Sequence, residues 1–294
     1  ITIMASLKEV KTRIASVNST RKITSAMKMV ASSKLHHAQL AIEPMRPYER
    51  QLSHIMSTFV GSMEGEIDTP YAGEREVKRV AIVLYTSNSS LCGGFNANVI
   101  KAFNRKVEAY RQQGIDIVSV YPLGKKAYDA VVKAGFTPSA DYAALLDHPS
   151  YEKAAQVAAE IMESYAEGEI DRADLIYYHF KSAGSQILTE EEFLPIKLQT
   201  ADDDSTSHTT QLDFIVEPSK EEVISQLVPK SLHLKLFTAL LDSLASEHAA
   251  RVMAMQVATD NADELLRELT LTYNKTRQQA ITNELLDIVG GSMQ

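Results

Sequence analysis

PKSLHLKLFTALLDSLASEHAARVMAMQVATDNADELLRELTLTYNKTRQQAITNELLDIVG, residues Pro229 to Gly290, is the stretch whose reading decides the fold. Its interior holds no proline and no glycine, and Ala, Leu, Glu, Arg and Met are abundant. Gly costs about 1 kcal/mol and Pro about 3 kcal/mol inside a helix, so the usual stop signals are missing. At ~1.5 Å per residue a single helix here would run to roughly 90 Å, far beyond the mean globular helix. Such a rod outruns any one compact core. It needs another long helix beside it, or a partner to project into.

The apolar pattern favours the first. From Leu241 the positions Ala245, His248, Val252, Met255, Thr259, Ala262, Leu266, Leu269, Tyr273, Thr276 and Ala280 alternate steps of four and three, a coiled-coil seam. The seam is thin, with small or hydroxyl residues at Thr259, Ala262, Thr276 and Ala280. A leucine there would bury about 1.5–3 kcal/mol of apolar surface. The partner is predicted at the other end of the chain, over residues 6–42. Ser6 and Glu9 form a capping box, and Leu7, Val10, Ile14 and Val17 make an apolar stripe. The stripe resumes at Ile23, Met27 and Val30 after the polar run Asn18 to Lys22, a skip of six that predicts a local disturbance of the supercoil. Pro44 and Pro47 interrupt the helix, which then continues through Leu52, Ile55, Met56 and Phe59 to Gly61.

Between these ends the period changes. Gly61 to Gly73 reads as a linker, and Val80–Tyr85 as a short β-branched run buried on both faces. Strands are also expected at Ile115–Tyr121 and Asp174–Phe180, and helices at Phe95–Gln113, Gly124–Lys133 and Ser150–Glu167. That alternation predicts a parallel or mixed sheet flanked by helices. Phe193–Leu198 reads as an edge strand because Pro195 lacks a donor, and Glu190–Glu192 as exposed surface. Ala201–Gln211 reads as a surface loop, and Leu212–Val216 alternates briefly before Pro218 and the terminal helix. The fold class is therefore α/β: a long antiparallel coiled coil of the N- and C-terminal helices, residues 1–65 and 213–294, with an inserted Rossmann-like α/β domain at 75–212.

Composition narrows the class further. A hydrophobic share of 45% with 23% charged residues is that of a globular protein. The net charge is −8, yet residues 1–50 carry nine basic against three acidic residues, a local +6 that leaves −14 elsewhere. A basic segment on an acidic chain predicts an acidic partner surface. One cysteine, Cys92, excludes an internal disulfide and fits a reducing compartment. No apolar run approaches ~18 residues, so no membrane-spanning helix is expected. Ile1 to Met4 lacks the charged and apolar regions of a signal peptide, and Met4 reads as a natural start.

Catalytic chemistry is sparse. The turn Thr86-Ser87-Asn88-Ser89-Ser90-Leu91-Cys92-Gly93-Gly94-Phe95-Asn96 lies between a strand and a helix, where free N–H groups attract phosphate. It matches neither GxGxxG nor GxxxxGK[ST] and contains no lysine, so a tight structural turn is the better reading. Cys92 has no nearby histidine in sequence and reads as a buried, inert thiol. His36 and His37 are adjacent, while His233 and His248 stand fifteen apart on a helix, so no metal site is expected. Asp202–Asp204 reads as a solvated charge run. Nucleic acid is not expected as a partner of a net acidic chain without interleaved aromatics.

Three separated stretches are similar to one family. Ser16-Val17, Thr20 and the run Lys22-Ile23-Thr24-Ser25-Ala26-Met27-Lys28-Met29-Val30-Ala31-Ser32-Ser33-Lys34 resemble the N-terminal helix of the gamma chain of F-type ATP synthases. Its C-terminal helix is resembled by Ser246–Met255, Ala258–Asn261, Tyr273–Lys275 and Arg277–Leu285, and its α/β domain by Leu91–Asn96. The family's usual Gly-Ala near the end is Gly291-Ser292 here. The inserted cysteine segment of photosynthetic members is absent over Asp141–Glu169, so thiol switching is not expected.

The resemblance implies a rotor shaft without chemistry or cofactor of its own. It implies a coiled coil inside a hexamer of alpha and beta chains, and an α/β domain resting with the epsilon chain on a c-subunit ring. The location implied is peripheral, on the cytoplasmic side of a bacterial inner membrane. By the same resemblance Met27, Lys28, Arg251, Gln278, Thr282 and Glu284 are partner contacts, and Asp213–Glu217 lies near the c ring. Read from the residues alone, Arg251 and Glu284 are a solvated helix face and Met27 is coiled-coil core. The rival reading is an α/β enzyme or nucleotide-binding module with a coiled-coil dimerisation arm.

Overall fold

A computed structural model describes residues 7–61, 69–72, 75–196 and 220–291. In chain order they form α1 (Leu7–Ile42), α2 (Met45–Gly61), β1 (Arg79–Tyr85), α3 (Phe95–Gln112), β2 (Asp116–Leu123), α4 (Lys125–Lys133), α5 (Ala143–Asp147), α6 (Tyr151–Ala166), β3 (Arg172–Ser182), β4 (Ser185–Leu194) and α7 (Lys220–Gly291). The chain divides into two compact units, Ile1–Ser33 with Arg251–Gln294, and Lys34–Ala250. Ser6, Asp202–Asp204, Leu212–Val216 and most of the predicted Gly61–Gly73 linker lie outside the described residues.

In the first unit, α1 and α7 run antiparallel. Three cross-helix contacts fix the register: Arg21 to Asp263, Thr24 to Thr259 and Lys28 to Gln256, the partner number falling as the other rises. Both helices carry a seam of alternating threes and fours. On α7 the predicted positions from Val252 to Ala280 are all sheltered, and Met255, Ala262 and Leu269 are buried.

The predicted disturbance on α1 is not there. Leu7, Val10, Ile14, Val17, Arg21, Thr24, Lys28 and Ala31 are all sheltered, an unbroken heptad; of the predicted continuation Met27 is half-buried, while Ile23 and Val30 are 60% and 59% exposed. The sequence stripe followed the greasiest side chains; the helix instead keeps its period and accepts polar residues on the seam. Arg and Lys do this at little cost because their aliphatic stems cover apolar surface while their heads find partners.

In the second unit, four strands form one mixed sheet in the order β2-β1-β3-β4. β1 is parallel to β2 and to β3, and β3 turns back into antiparallel β4. β1 is buried on both faces, as its Val-Ala-Ile-Val-Leu-Tyr run requires. Val80, Ile82 and Leu84 pack with α3 and α4, and Ala81, Val83 and Tyr85 with α6 and α7.

The edge strand differs from expectation. It spans Ser185–Leu194 rather than Phe193–Leu198, so Glu190–Glu192 is part of a strand and not a loose charge run. Arg105 pairs with Glu190, Lys235 with Glu191 and Arg172 with Glu192, which is why three consecutive acids are tolerated there.

Two further findings concern α7. It is described from Lys220, in line with a helix after Pro218, and it carries Pro229 within it rather than at its start. From Leu236 to Glu247 every residue is buried, whichever way it faces. A helix sheltered all round is a core element rather than half of a two-stranded coil. The seam predicted from Leu241 therefore becomes a one-sided stripe only after Ala249.

Candidate functional site

The Thr86–Asn96 turn is the strongest catalytic candidate in the sequence, and several of its polar groups are engaged within the protein. The backbone N–H of Ser87 donates to Asn96 Oδ1 at 3.0 Å, and Asn96 Nδ2 donates to Ser87 Oγ at 2.7 Å. Thr86 Oγ1 accepts from the Ala127 N–H at 2.7 Å and Asn88 Oδ1 from the Lys125 N–H at 3.1 Å, so the turn caps the first turn of α4. The approach is close: a Cβ on Gly124, at φ 114°, would stand 2.5 Å from the Thr86 carbonyl oxygen. Cys92 is buried 3.2 Å from Asn96 Nδ2. These N–H groups hold protein acceptors, not an anion. An Asn96→Ala chain is expected to lose about 1–3 kcal/mol in urea unfolding, the cost of leaving buried partners unsatisfied.

No group of His, Cys, Asp and Glu suited to a metal ion occurs among the described residues. No described helix is long and apolar enough to cross a membrane.

What stands out instead are the surfaces of the helical pair. Its seam is polar at three successive layers. Arg21 Nη1 lies 2.9 Å from Asp263 Oδ1, the Thr24 and Thr259 hydroxyls are 2.9 Å apart, and Lys28 Nζ is 2.7 Å from Gln256 Oε1. Gln256 in turn donates to Asp260. Beside this seam, Ile23, Met29 and Val30 of α1 and Met253 and Val257 of α7 are exposed.

The last turns of α7 are exposed throughout from Ile281 to Val289, including Leu285, Leu286 and Ile288. The register explains why. Residue numbers paired across the seam total about 284, so α1, described from Leu7, reaches only to the neighbourhood of Arg277. Beyond it no described residue of α1 faces the last four or so turns of α7. Ile281, Leu285, Leu286 and Ile288, four large apolar side chains exposed on one helix end, mark an interaction surface.

The six residues singled out from the sequence fall in two places, all within the first unit. Met27 is half-buried next to Lys28, which reaches Gln256; Arg251 lies half-buried five residues from Gln256 along α7. Gln278, Thr282 and Glu284 are exposed near the free end, where Thr282 Oγ1 donates to the Gln278 carbonyl at 2.9 Å. About 40 Å of helix separates Arg251 from that trio. They occupy two separate regions of the helical pair rather than one.

Sequence reasoning missed the overhang. The signal was available: the heptad on α7 runs a turn past the point that α1 can match, and Leu285, Leu286, Ile288 and Val289 then follow no single stripe.

An antiparallel pair of the two chain ends with a polar seam and an exposed apolar tip, and a mixed-sheet unit between them in sequence, define a subunit built to be held by partners. The comparisons name the assembly. A family profile described as ATP synthase matches residues 6–293. An ATP synthase gamma chain of Bacteroides fragilis is 59% identical over 99% of this chain and 100% of its own length. One from Flavobacterium johnsoniae is 45% identical over 98% of both. A chain in a Euglena gracilis mitochondrial ATP synthase structure of OSCP, F1 and c-ring superposes with a TM-score of 0.60 at 18% identity, covering 98% of this chain and 93% of that one. The chain belongs to the ATP synthase gamma-chain family.

Proposed function

We propose that the helical hairpin is a rotor shaft standing inside a hexamer of alternating alpha and beta chains, while the mixed-sheet unit rests with an epsilon chain on a c-subunit ring. Proton flow turns the ring, and the shaft carries the catalytic sites of the beta chains through successive affinities. The chain itself performs no chemistry and needs no cofactor. Its place is peripheral, on the cytoplasmic side of an inner membrane. In this reading residues 1–65 and 213–294 serve as shaft and 75–212 as the inserted foot, with Asp213–Glu217 towards the c ring.

The observation that carries the proposal is the exposed apolar surface of α7 at Ile281, Leu285, Leu286 and Ile288. A hairpin that leaves such a surface uncovered requires a surrounding partner, and Gln278, Thr282 and Glu284 supply polar contacts to it. At the other region Met27, Lys28 and Arg251 face acidic loops of the beta chains. Coupling follows from asymmetry, because a shaft that made equal contacts at every angle would shift no equilibrium.

The test is Lys28→Glu in the assembled complex. Charge reversal should leave assembly intact and lower proton pumping per ATP hydrolysed by about two- to fivefold, the range that 0.5–1 kcal/mol of lost exposed charge contact gives. Unchanged pumping would reduce Lys28 to a seam residue that only holds Gln256.

A further inference from the structure

The short helix α2 rests on a set of ionisable groups that the rotor reading does not use. Its face towards the sheet carries Arg46, Glu49 and Arg50 to the wall of a cavity of about 210 Å³. Tyr177 and His179 of β3 and Glu191 of β4 form a second side, and Lys235, Thr238 and Asp242 of α7 the third. Apolar support is modest, with Leu52 the one fully buried side chain among the α2 residues whose burial is described.

The charges are unequally matched. Asp242 is almost fully buried and takes Arg46 at 3.1 Å and His179 Nδ1 at 2.7 Å, and Arg46 also donates to the Phe180 carbonyl. Glu191 has Lys235 at 3.3 Å. Glu49 is the third carboxylate on the cavity, and it has neither an ion pair nor a hydrogen bond among the described residues. Arg46 Nε and Thr238 Oγ1, both buried and both at this cavity, also lack partners. Removing the charge of Glu49 therefore relieves it without breaking a bond elsewhere in the cluster.

We propose that Glu49 makes the seating of α2 on β3, β4 and α7 proton-dependent, a latch that tightens on acidification and slackens as the carboxylate ionises. Burial, and then the negative charges of Asp242 and Glu191, push the Glu49 carboxyl above the usual carboxylate range; Lys235 and His179 pull the other way without cancelling them. The sign follows from linkage. A carboxyl whose pKa is higher when seated binds its proton more tightly in the seated state. Seating is thus strongest below the ordinary carboxylate pKa and is lost progressively as pH rises through the raised one.

Amide hydrogen exchange of the full-length chain reads the latch directly. After correction for intrinsic exchange, protection of the Glu49–Met56 amides should be about two- to threefold higher near pH 5 than near pH 8, because the proton that favours seating is bound only at the lower pH. Glu49→Gln keeps the side-chain shape and removes the charge, so it should hold the high protection at both pH values. Glu43→Gln, which neutralises an exposed acid between α1 and α2, should keep the wild-type pH dependence. Equal protection at the two pH values in the wild-type chain would overturn the proposal. So would a pH dependence that survives Glu49→Gln.

Discussion

Replacing Asp174 by alanine is expected to lower the unfolding free energy of the mixed-sheet unit by about 3 kcal/mol, at the lower edge of what losing one partner of a buried charge cluster costs. Asp174 lies near the start of β3, opposite Ile82 of β1 and Glu192 of β4, and is wholly inaccessible to solvent. Lys106 Nζ is 3.1 Å from one carboxylate oxygen, Arg172 Nε 2.9 Å from the other, and the Tyr110 hydroxyl also donates to it. Burial and the adjacent carboxylate push the Tyr110 phenol well above its usual range, which keeps it a donor. Truncation strands two cations and a phenol around an empty space.

The lower edge applies because Arg172 is partly exposed and retains Glu192 at 3.4 Å. Asp174→Asn keeps an acceptor for Tyr110 and should recover part of the loss. Urea unfolding of the full-length chain measures both. By contrast, Arg21 and Asp263 are each substantially exposed, and breaking that pair should cost less than about 1 kcal/mol. A loss of that small size at Asp174 would mean that the sheet relaxes to let water reach the cations.

This cluster also shows where the sequence is legible and where it is not. Val80–Tyr85 announces a central strand because its apolar run leaves one option, burial on both faces. Asp174 sits inside the same kind of run, and nothing local to β3 marks it as the partner of Lys106 and Tyr110 on α3. The α7 seam beyond Val252 was legible for a related reason. Period is a property of consecutive residues, and each sheltered position follows from the one before it.

The α1 seam was misread because apolar character was followed in preference to period. Ile23 and Val30 are more hydrophobic than Thr24 and Ala31, yet the helix turns the smaller and more polar pair inward. What decides this is the partner helix, with Thr259 and Gln256 at the facing positions, some 230 residues away in sequence. The α2 cluster was invisible for the same reason. Arg46, Glu49, His179, Glu191 and Asp242 come from four elements that only the fold brings together. The two regions holding Lys28 and Gln278–Glu284 are proposed as contacts only through resemblance to the gamma-chain family. Composition alone supplied only the excess of basic residues near Lys28.

The polar seam invites the opposite experiment, in which stability is added. Arg21→Leu, Lys28→Leu, Gln256→Leu and Asp263→Leu together should raise the unfolding free energy by about 4 kcal/mol. A half-buried leucine contributes roughly 1 kcal/mol, less than the ~1.5–3 of a fully buried one, and the exposed ion pair given up is worth little. The expected price is register. Polar residues at seam positions specify alignment at a cost in stability, and a uniform leucine seam leaves slips of one heptad nearly equal in energy. Thr24→Cys with Thr259→Cys reports this, since the two hydroxyls are 2.9 Å apart in the native alignment. Oxidation should cross-link the pair efficiently in the otherwise native chain and less efficiently in the leucine chain, while the urea midpoint moves upward. If the midpoint moved down instead, the polar layers would be a source of stability rather than alignment. The thin seam would then need no role in setting the angle at which the shaft presents its contacts.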